Sequence, residues 1–562
     1  MSRIHTGSKA LALAATLALI IAACGDDDDD EGSSADTTGA VASATTTPST
    51  TTAAASDTTT AGEPATTAAA ASDEDLDLEA TIRITTAAPG VSLDPHRERQ
   101  SGDRDYTNLL YDRLTVIEAD QTVAPMLAES WEFSAEGTEL TLTLRDGATF
   151  QDGAPVDAEA VKANLERAKT LADGTVAAYL ANVSSIEAVD DTTVTLTITE
   201  GGADLPAIMA TNVGMIVNPK AFSDGRDLVL APGDAGSGPY QIVEFVPNER
   251  AVFERVDGHW DPDAGKVKRI EMGFIPRGSS RVDGLRAGQL DLIQVTGVDQ
   301  QVGLPLVESG EFGGFQVTVA TGHQLMFNVA MGDLGTPDVR QAIGQAIDKE
   351  AIADQFLEGN CIVTTTLLPE GHWAAPDEDE PYPFDPEAAQ TLLSDAGLSN
   401  TSIEIATAAG SSAEPIAQVV QSYLQAIGVN ATLRPLTQVE VDGGFRGGEL
   451  MSYQGFIIGQ ADPALLLNMF YFADTGFKLG GEEAVTKYQE RATEANDPTL
   501  TQDERAELYK ALFADIQAEE WSVPICHTKQ LWMHTEKVGN VSEDTPFIPV
   551  GLGDFRYVTV SK

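Results

Sequence analysis

Alternating strand and helix signals predict an α/β protein built from two or three lobes. Three observations carry this expectation. Short β-branched runs with a period of two recur along the chain, and capped helical stretches lie between them. At 562 residues and 42% hydrophobic content, the chain is also too long for one ordinary core.

In chain order, the first element is a leader. Arg3, His5 and Lys9 precede an apolar run that ends at Ile21-Ala22-Ala23-Cys24. A basic start, an apolar middle and a small-residue cleavage site are the parts of a secretory signal. The run falls short of the ~20 apolar residues needed to span a bilayer. Residues 1–23 are therefore expected to be a removable signal peptide. The ending resembles a bacterial lipobox, which implies a palmitate-type acyl anchor on Cys24 and a mature protein held on the outer face of the cell membrane. Residues 24–75 are Asp, Ser, Thr, Ala, Gly and Pro with almost nothing large and apolar. Such a segment cannot offset its ordering entropy and is expected to be a disordered linker. As a flexible coil of ~50 residues it would span roughly 40 Å, and its Thr and Ser density permits O-glycosylation.

Ordered sequence starts near Leu78. Residues 80–86, 138–144 and 192–198 alternate as strands rich in Thr, Val and Ile. Asp157 stands at the N-cap of a helix with acids in its first turn. Apolar residues recur at helical spacing from Asp338 to Ile347. Asp385 and Pro386 open a third helix as N-cap and first residue, and Gly397 supplies its left-handed stop.

A formal net charge of -53 argues against nucleic acid as a partner, which requires a basic face. The charge is spread through the body and reads as solvation of an exposed protein. Of three cysteines, Cys24 belongs to the anchor. Cys361 and Cys526 remain, and outside the cytoplasm they can pair as a disulfide or stay as two buried thiols.

Many segments resemble, in the same order, the extracytoplasmic solute-binding proteins of family 5, which serve peptide- and nickel-type ABC importers. They are Leu93-Asp94-Pro95-His96, the Tyr111-Asp112-Arg113-Leu114 run, residues 124–132, residues 144–156, Gly236-Ser237-Gly238-Pro239-Tyr240, residues 285–291, Met326-Phe327-Asn328 and Asp462-Pro463. The resemblance implies a two-lobed, type II periplasmic-binding-protein (Venus-flytrap) fold. Lobe I would take residues 76–322, with an inserted subdomain near 107–222, and regain the chain at 524–562. Lobe II would take residues 323–523. Solute would be trapped between the lobes and delivered to ABC permease and ATPase subunits, the binding protein acting as a monomer with no cofactor.

Peptide-binding members of that family carry a Trp-x-x-Asp-x-x-Asp-Pro segment whose first aspartate pairs with the peptide amine. Aligned on Asp462-Pro463, Phe456 stands at the tryptophan position and Gly459 at the amine-pairing aspartate. This departure argues against free-amine peptides, because a buried ammonium without its carboxylate costs on the order of several kcal/mol. Thr86, Tyr179, Trp373, Phe456, Gly459, Gln460 and Asp462 are the candidate ligand-binding residues. Asp462 has a second role open to it as an Asp-Pro helix cap.

Enzyme readings find no support in the motifs: HExxH, GxSxG, a P-loop and a cysteine zinc framework are all missing from the sequence. A metal- or metallophore-binding alternative would draw on His323, His372, His527 and Cys526. Presentation of solute to a sensor rather than a permease is a further alternative.

Overall fold

A computed structural model describes residues 73–562, apart from 99–100, 370, 378–379, 399, 458, 461, 473–475, 546–550 and 552. The leader, Cys24 and the linker through residue 72 lie outside the described residues. Among the described residues, no helix is long and apolar enough to cross a membrane.

The architecture is organised by two unusually long strands. Gly313–Phe327 has 15 residues and Ser522–His534 has 13, and they run antiparallel to each other. At ~3.3 Å per residue the longer would extend roughly 50 Å, far beyond a typical strand. It is shared between two halves. Its first part pairs Gly313–Thr318 with residues 529–534, and its second part pairs residues 322–326 with residues 522–527. The register shifts between Thr318 and Gly322, and again between His323 and Gln324.

Each half of the sheet hangs on one part of this ribbon. Leu292–Thr296 pairs with the outer end of Ser522–His534 and continues into the parallel strands Thr81–Thr86 and Arg269–Phe274. Arg250–Arg255 and Tyr240–Val246 complete that side as an antiparallel edge. On the other side, Ser452–Ile457 pairs with residues 322–327, followed by the parallel strands Ser402–Ala408 and Asn430–Leu436. With Cys361–Val363 on Ser522–His534, the sheet has eleven strands among the described residues.

A separate four-stranded sheet is formed by Ala128–Phe133, Glu139–Leu144, Thr193–Ile198 and Val183–Ala188. Its inward positions, Leu140, Leu142, Leu144, Val194, Leu196 and Ile198, build a core with helix Ala158–Thr170. Trp131 packs against the edge of this core. A second core holds Ile82, Phe253, Ile270 and Trp532 under the first half of the large sheet. The other half is covered on both faces: one core contains Leu325, Ile343, Ile405 and Val420, the other Met326, Tyr453, Tyr509 and Trp521.

Local chemistry explains the helix ends. Asp157 accepts from the Ala160 N–H, and Asp385 accepts from the Ala388 N–H ahead of Pro386. Gly397 lies at φ +72°, the left-handed stop that the sequence calls for. The helix expected from Asp338 starts one residue earlier, because Pro337 takes the first helical position behind Thr336, and it ends at Ala346.

The C-terminal segment returns to the first half and is locked there by charge. Arg113 Nη2 lies 2.7 Å from Asp554 Oδ2, and Arg556 Nη1 lies 2.7 Å from Asp112 Oδ1, all four side chains being fully buried. Asp112 also accepts from Trp260 Nε1 and faces His259. Cys361 and Cys526 are joined as a disulfide with Cα atoms 5.6 Å apart, tying the short strand to the long ribbon.

Candidate functional site

The carboxyl ends of both sets of parallel strands meet the ribbon at its register break. Thr296 pairs with Gln530, opposite Val317, while Ile457 pairs with Gly322. In open α/β sheets, ligands bind beyond the carboxyl ends of parallel strands where the topology switches. The neighbourhood of residues 317–323 is such a place, approached from both halves.

From the first half, Thr86 ends its strand there, buried, with its hydroxyl donating to the Ala88 carbonyl at 3.1 Å. Beside it, the Ala87 N–H donates to Gln294 Oε1, and Gln294 Nε2 donates to Gln530 Oε1, each at 2.9 Å. Gln294 and Gln530 sit within strands more than 200 residues apart in sequence, so nothing local in the sequence could single them out.

From the second half comes the segment 455–462. Phe456 pairs with His323 across the strands, and their rings lie 4.4 Å apart between centroids. Burial alone pushes the His323 imidazole down to about 3, so the ring is neutral and no charged group acts on it. Burial likewise pushes His527 down to about 4, partly opposed by the carbonyls of Leu368 and Ala320. The ribbon therefore crosses this region with two neutral imidazoles.

Gly459 follows and is buried against the ribbon. A β-carbon there would come within 2.1 Å of Ala320 Cβ and 2.6 Å of the Ala320 carbonyl oxygen. The backbone itself occupies the space that a side chain would need. Gln460 is half-buried beyond it.

Asp462 takes the helix-capping role and more. It accepts from the Ala464 N–H at 3.0 Å at the head of helix Pro463–Leu467. Arg505 Nη2 then reaches both of its carboxylate oxygens, at 3.1 and 2.8 Å. Trp373 is drawn into the same cluster, with Arg505 5.3 Å from its ring centre, His372 stacked on it and Tyr509 edge-on. Sequence reading missed Arg505, which lies 43 residues from Asp462 on helix Gln502–Ala518.

Tyr179 sits on the short turn Ala177–Leu180 and packs against the core of the four-stranded sheet. Burial raises its hydroxyl above the ordinary range, while Arg104 and Arg446 pull it back. Arg446 ends helix Gln438–Arg446 in the other half, so charge from that half acts on the Tyr179 hydroxyl.

The candidate metal ligands are not assembled. Cys526 is consumed by its disulfide, and among the described residues no group of three or more His, Cys, Asp or Glu side chains could hold a metal ion.

This arrangement matches known proteins closely. The family model described as bacterial extracellular solute-binding proteins, family 5 Middle, matches residues 122–478. Curated relatives include the glutathione-binding protein GsiB of Salmonella paratyphi A, 26% identical over 476 residues, which span 81% of this chain and 91% of the relative. The solved structure of DppA from Helicobacter pylori with the peptide STSA superposes with a TM-score of 0.74 at 21% identity, covering 86% of this chain and 98% of that one. NikA from Brucella suis in complex with Fe(III)-EDTA gives 0.75 at 22%, covering 86% and 100%. These neighbours are type II periplasmic binding proteins, and the two half-sheets on a shared ribbon follow that plan. With more than half of its length matched to the family model, the chain belongs to the bacterial extracellular solute-binding proteins of family 5.

Proposed function

We propose that this protein is the capture component of an ABC importer, anchored outside the membrane through acylated Cys24. It shuts around a neutral organic solute, such as a sugar or a blocked peptide, and delivers it to permease and ATPase subunits. It performs no chemistry itself and works as a monomer. Lobe I comprises residues 76–322 with the insertion near 107–222 and the return at 524–562, and lobe II comprises residues 323–523. The ribbon's register break and the separate cores support that division.

One observation carries the solute class: Gly459 is packed onto Ala320 where peptide-binding relatives place the amine-pairing aspartate. Asp462, the remaining carboxylate of the segment, is held by Arg505. His323 adds an uncharged imidazole behind Phe456. A free ammonium finds no counter-charge among these groups, whereas Thr86, Tyr179, Trp373, Phe456 and Gln460 offer rings and hydrogen-bonding groups to a neutral molecule. Solute touching both lobes selects the closed state only if it binds that state more tightly than the open one.

Native mass spectrometry of the purified protein, backed by a thermal-shift panel, tests this reading. A bound neutral solute should copurify and raise the melting temperature progressively, roughly with the logarithm of its concentration above Kd. A strong shift with free-amine tripeptides would overturn the assignment of Gly459.

A further inference from the structure

The two halves also touch outside the ribbon. Loop 201–204, which leads into helix Leu205–Met209 in the inserted segment, meets Asn496 at the end of helix Gly481–Ala495. Asn496 is held at three atoms. Its carbonyl accepts from the Ala203 N–H at 3.0 Å, its side-chain oxygen accepts from the Asp204 N–H at 3.0 Å, and its amide donates to Asp204 Oδ1 at 2.8 Å.

The same Asn496 oxygen accepts from Arg505 Nη2 at 3.3 Å, and Arg505 grips Asp462. An unbroken polar chain thus runs from Asp204 through Asn496 and Arg505 to Asp462, at the end of the solute-binding segment. All four residues are buried. Apolar packing follows the same route. Leu465 joins the core of the four-stranded sheet, while its neighbours Ala464, Leu466 and Leu467 belong to a core of the other half.

We infer that Asp204, Asn496, Arg505 and Asp462 form a latch that holds the inserted subdomain of lobe I against lobe II in the closed state, and that acid tightens it. The inference rests on the two-lobe reading above.

The sign follows from the charges. Two carboxylates share one guanidinium, and Arg505 donates to Asp462, to neutral Asn496 and to the Ala495 carbonyl rather than to Asp204. Burial first, and the Asp462 charge second, raise the Asp204 carboxyl to about 6, against the pull of Asn496 and Arg505. In an open molecule Asp204 returns to water and to the ordinary aspartate range. The closed state therefore takes up a proton that the open state releases, and it gains as pH falls through that interval. Tyr509, the other titratable group beside Arg505, is raised well above 10, chiefly by burial, and stays protonated throughout. Trp373 adds only an uncharged ring.

Small-angle X-ray scattering of the intact, ligand-free protein at pH 7.5 and pH 5.0 provides the test. The radius of gyration should fall on acidification, with the closing equilibrium shifting by up to about tenfold per pH unit, the limit for one proton. Asp204→Asn, which keeps the acceptor but carries no charge, should be compact at both pH values. Asn496→Ala should be expanded at both while remaining folded by circular dichroism. Hydrogen exchange on the unmodified protein gives a readout independent of variants: after correction for intrinsic rates, the Ala203 and Asp204 amides should become more protected at pH 5.0. A radius and protection that ignore pH would overturn the latch, as would an Asp204→Asn protein that opens like Asn496→Ala. Since no solute enters these measurements, failure of the solute assignment leaves their outcome unaffected.

Discussion

Gly459 and Ala320 lie so close that a β-carbon on the glycine would overlap the alanine's own, at 2.1 Å. The contact joins the segment that follows strand Ser452–Ile457 to the stretch of the ribbon, residues 319–321, that lies between the two registers. Gly459→Ala is expected to destabilise the fold by about 1–3 kcal/mol through overpacking. Gly459→Asp should cost more and should not create affinity for free-amine peptides. Urea unfolding of both variants, with a tripeptide thermal-shift series, checks the pair of outcomes.

The Cys361–Cys526 disulfide closes a loop with a sequence separation of 165. On the chain-entropy account such a loop contributes about 5 kcal/mol. The Cys361→Ser, Cys526→Ser double variant should therefore unfold at clearly lower denaturant concentration. Reductant should lower the midpoint of the unmodified protein and leave that of the variant unchanged.

Arg556 bridges Asp112 and Asp554, both fully buried. Removing one member of such a network leaves a buried charge uncompensated, at a cost of about 3–5 kcal/mol. Arg556→Ala should show that loss in urea and should release the C-terminal segment to limited proteolysis. Lys562→Ala, at the exposed terminus, is the control expected to change little.

Acid should weaken the folded protein through its buried imidazoles. His323 and His527 are held at about 3 and about 4, below the ordinary 6.5, by burial. The unfolded chain takes up their protons below about pH 6.5 while the folded chain does not. Their effect is a stability loss that grows as pH falls from about 6.5 to about 4. His323→Phe should flatten that slope in melting curves recorded across this range. The scattering test above reads closure rather than unfolding, so the two acid effects separate.

The sequence carried those parts of the structure that depend on neighbours. Asp157, Asp385 and Gly397 are legible because a cap is settled within three or four residues. The alternating runs near 81–86, 139–144 and 193–198 are legible because a strand's two faces are. Asp462 was legible only by half: the capping role is local, but Arg505 arrives from another helix. The reason for a glycine at 459 is an alanine at 320, and Asn496 meets Asp204 across a separation of 292 residues. Contacts of that range leave no periodic trace in a single chain.

The continuity of Gly313–Phe327 and Ser522–His534 has a mechanical consequence. Two unbroken backbones, bonded to one another on either side of a short slack interval, forbid the halves from sliding or exchanging places. On the proposed two-lobe reading, the halves bend relative to one another near residues 319–321, where the register shifts. On that reading, one well-chosen distance between exposed points on the two halves is enough to follow their opening.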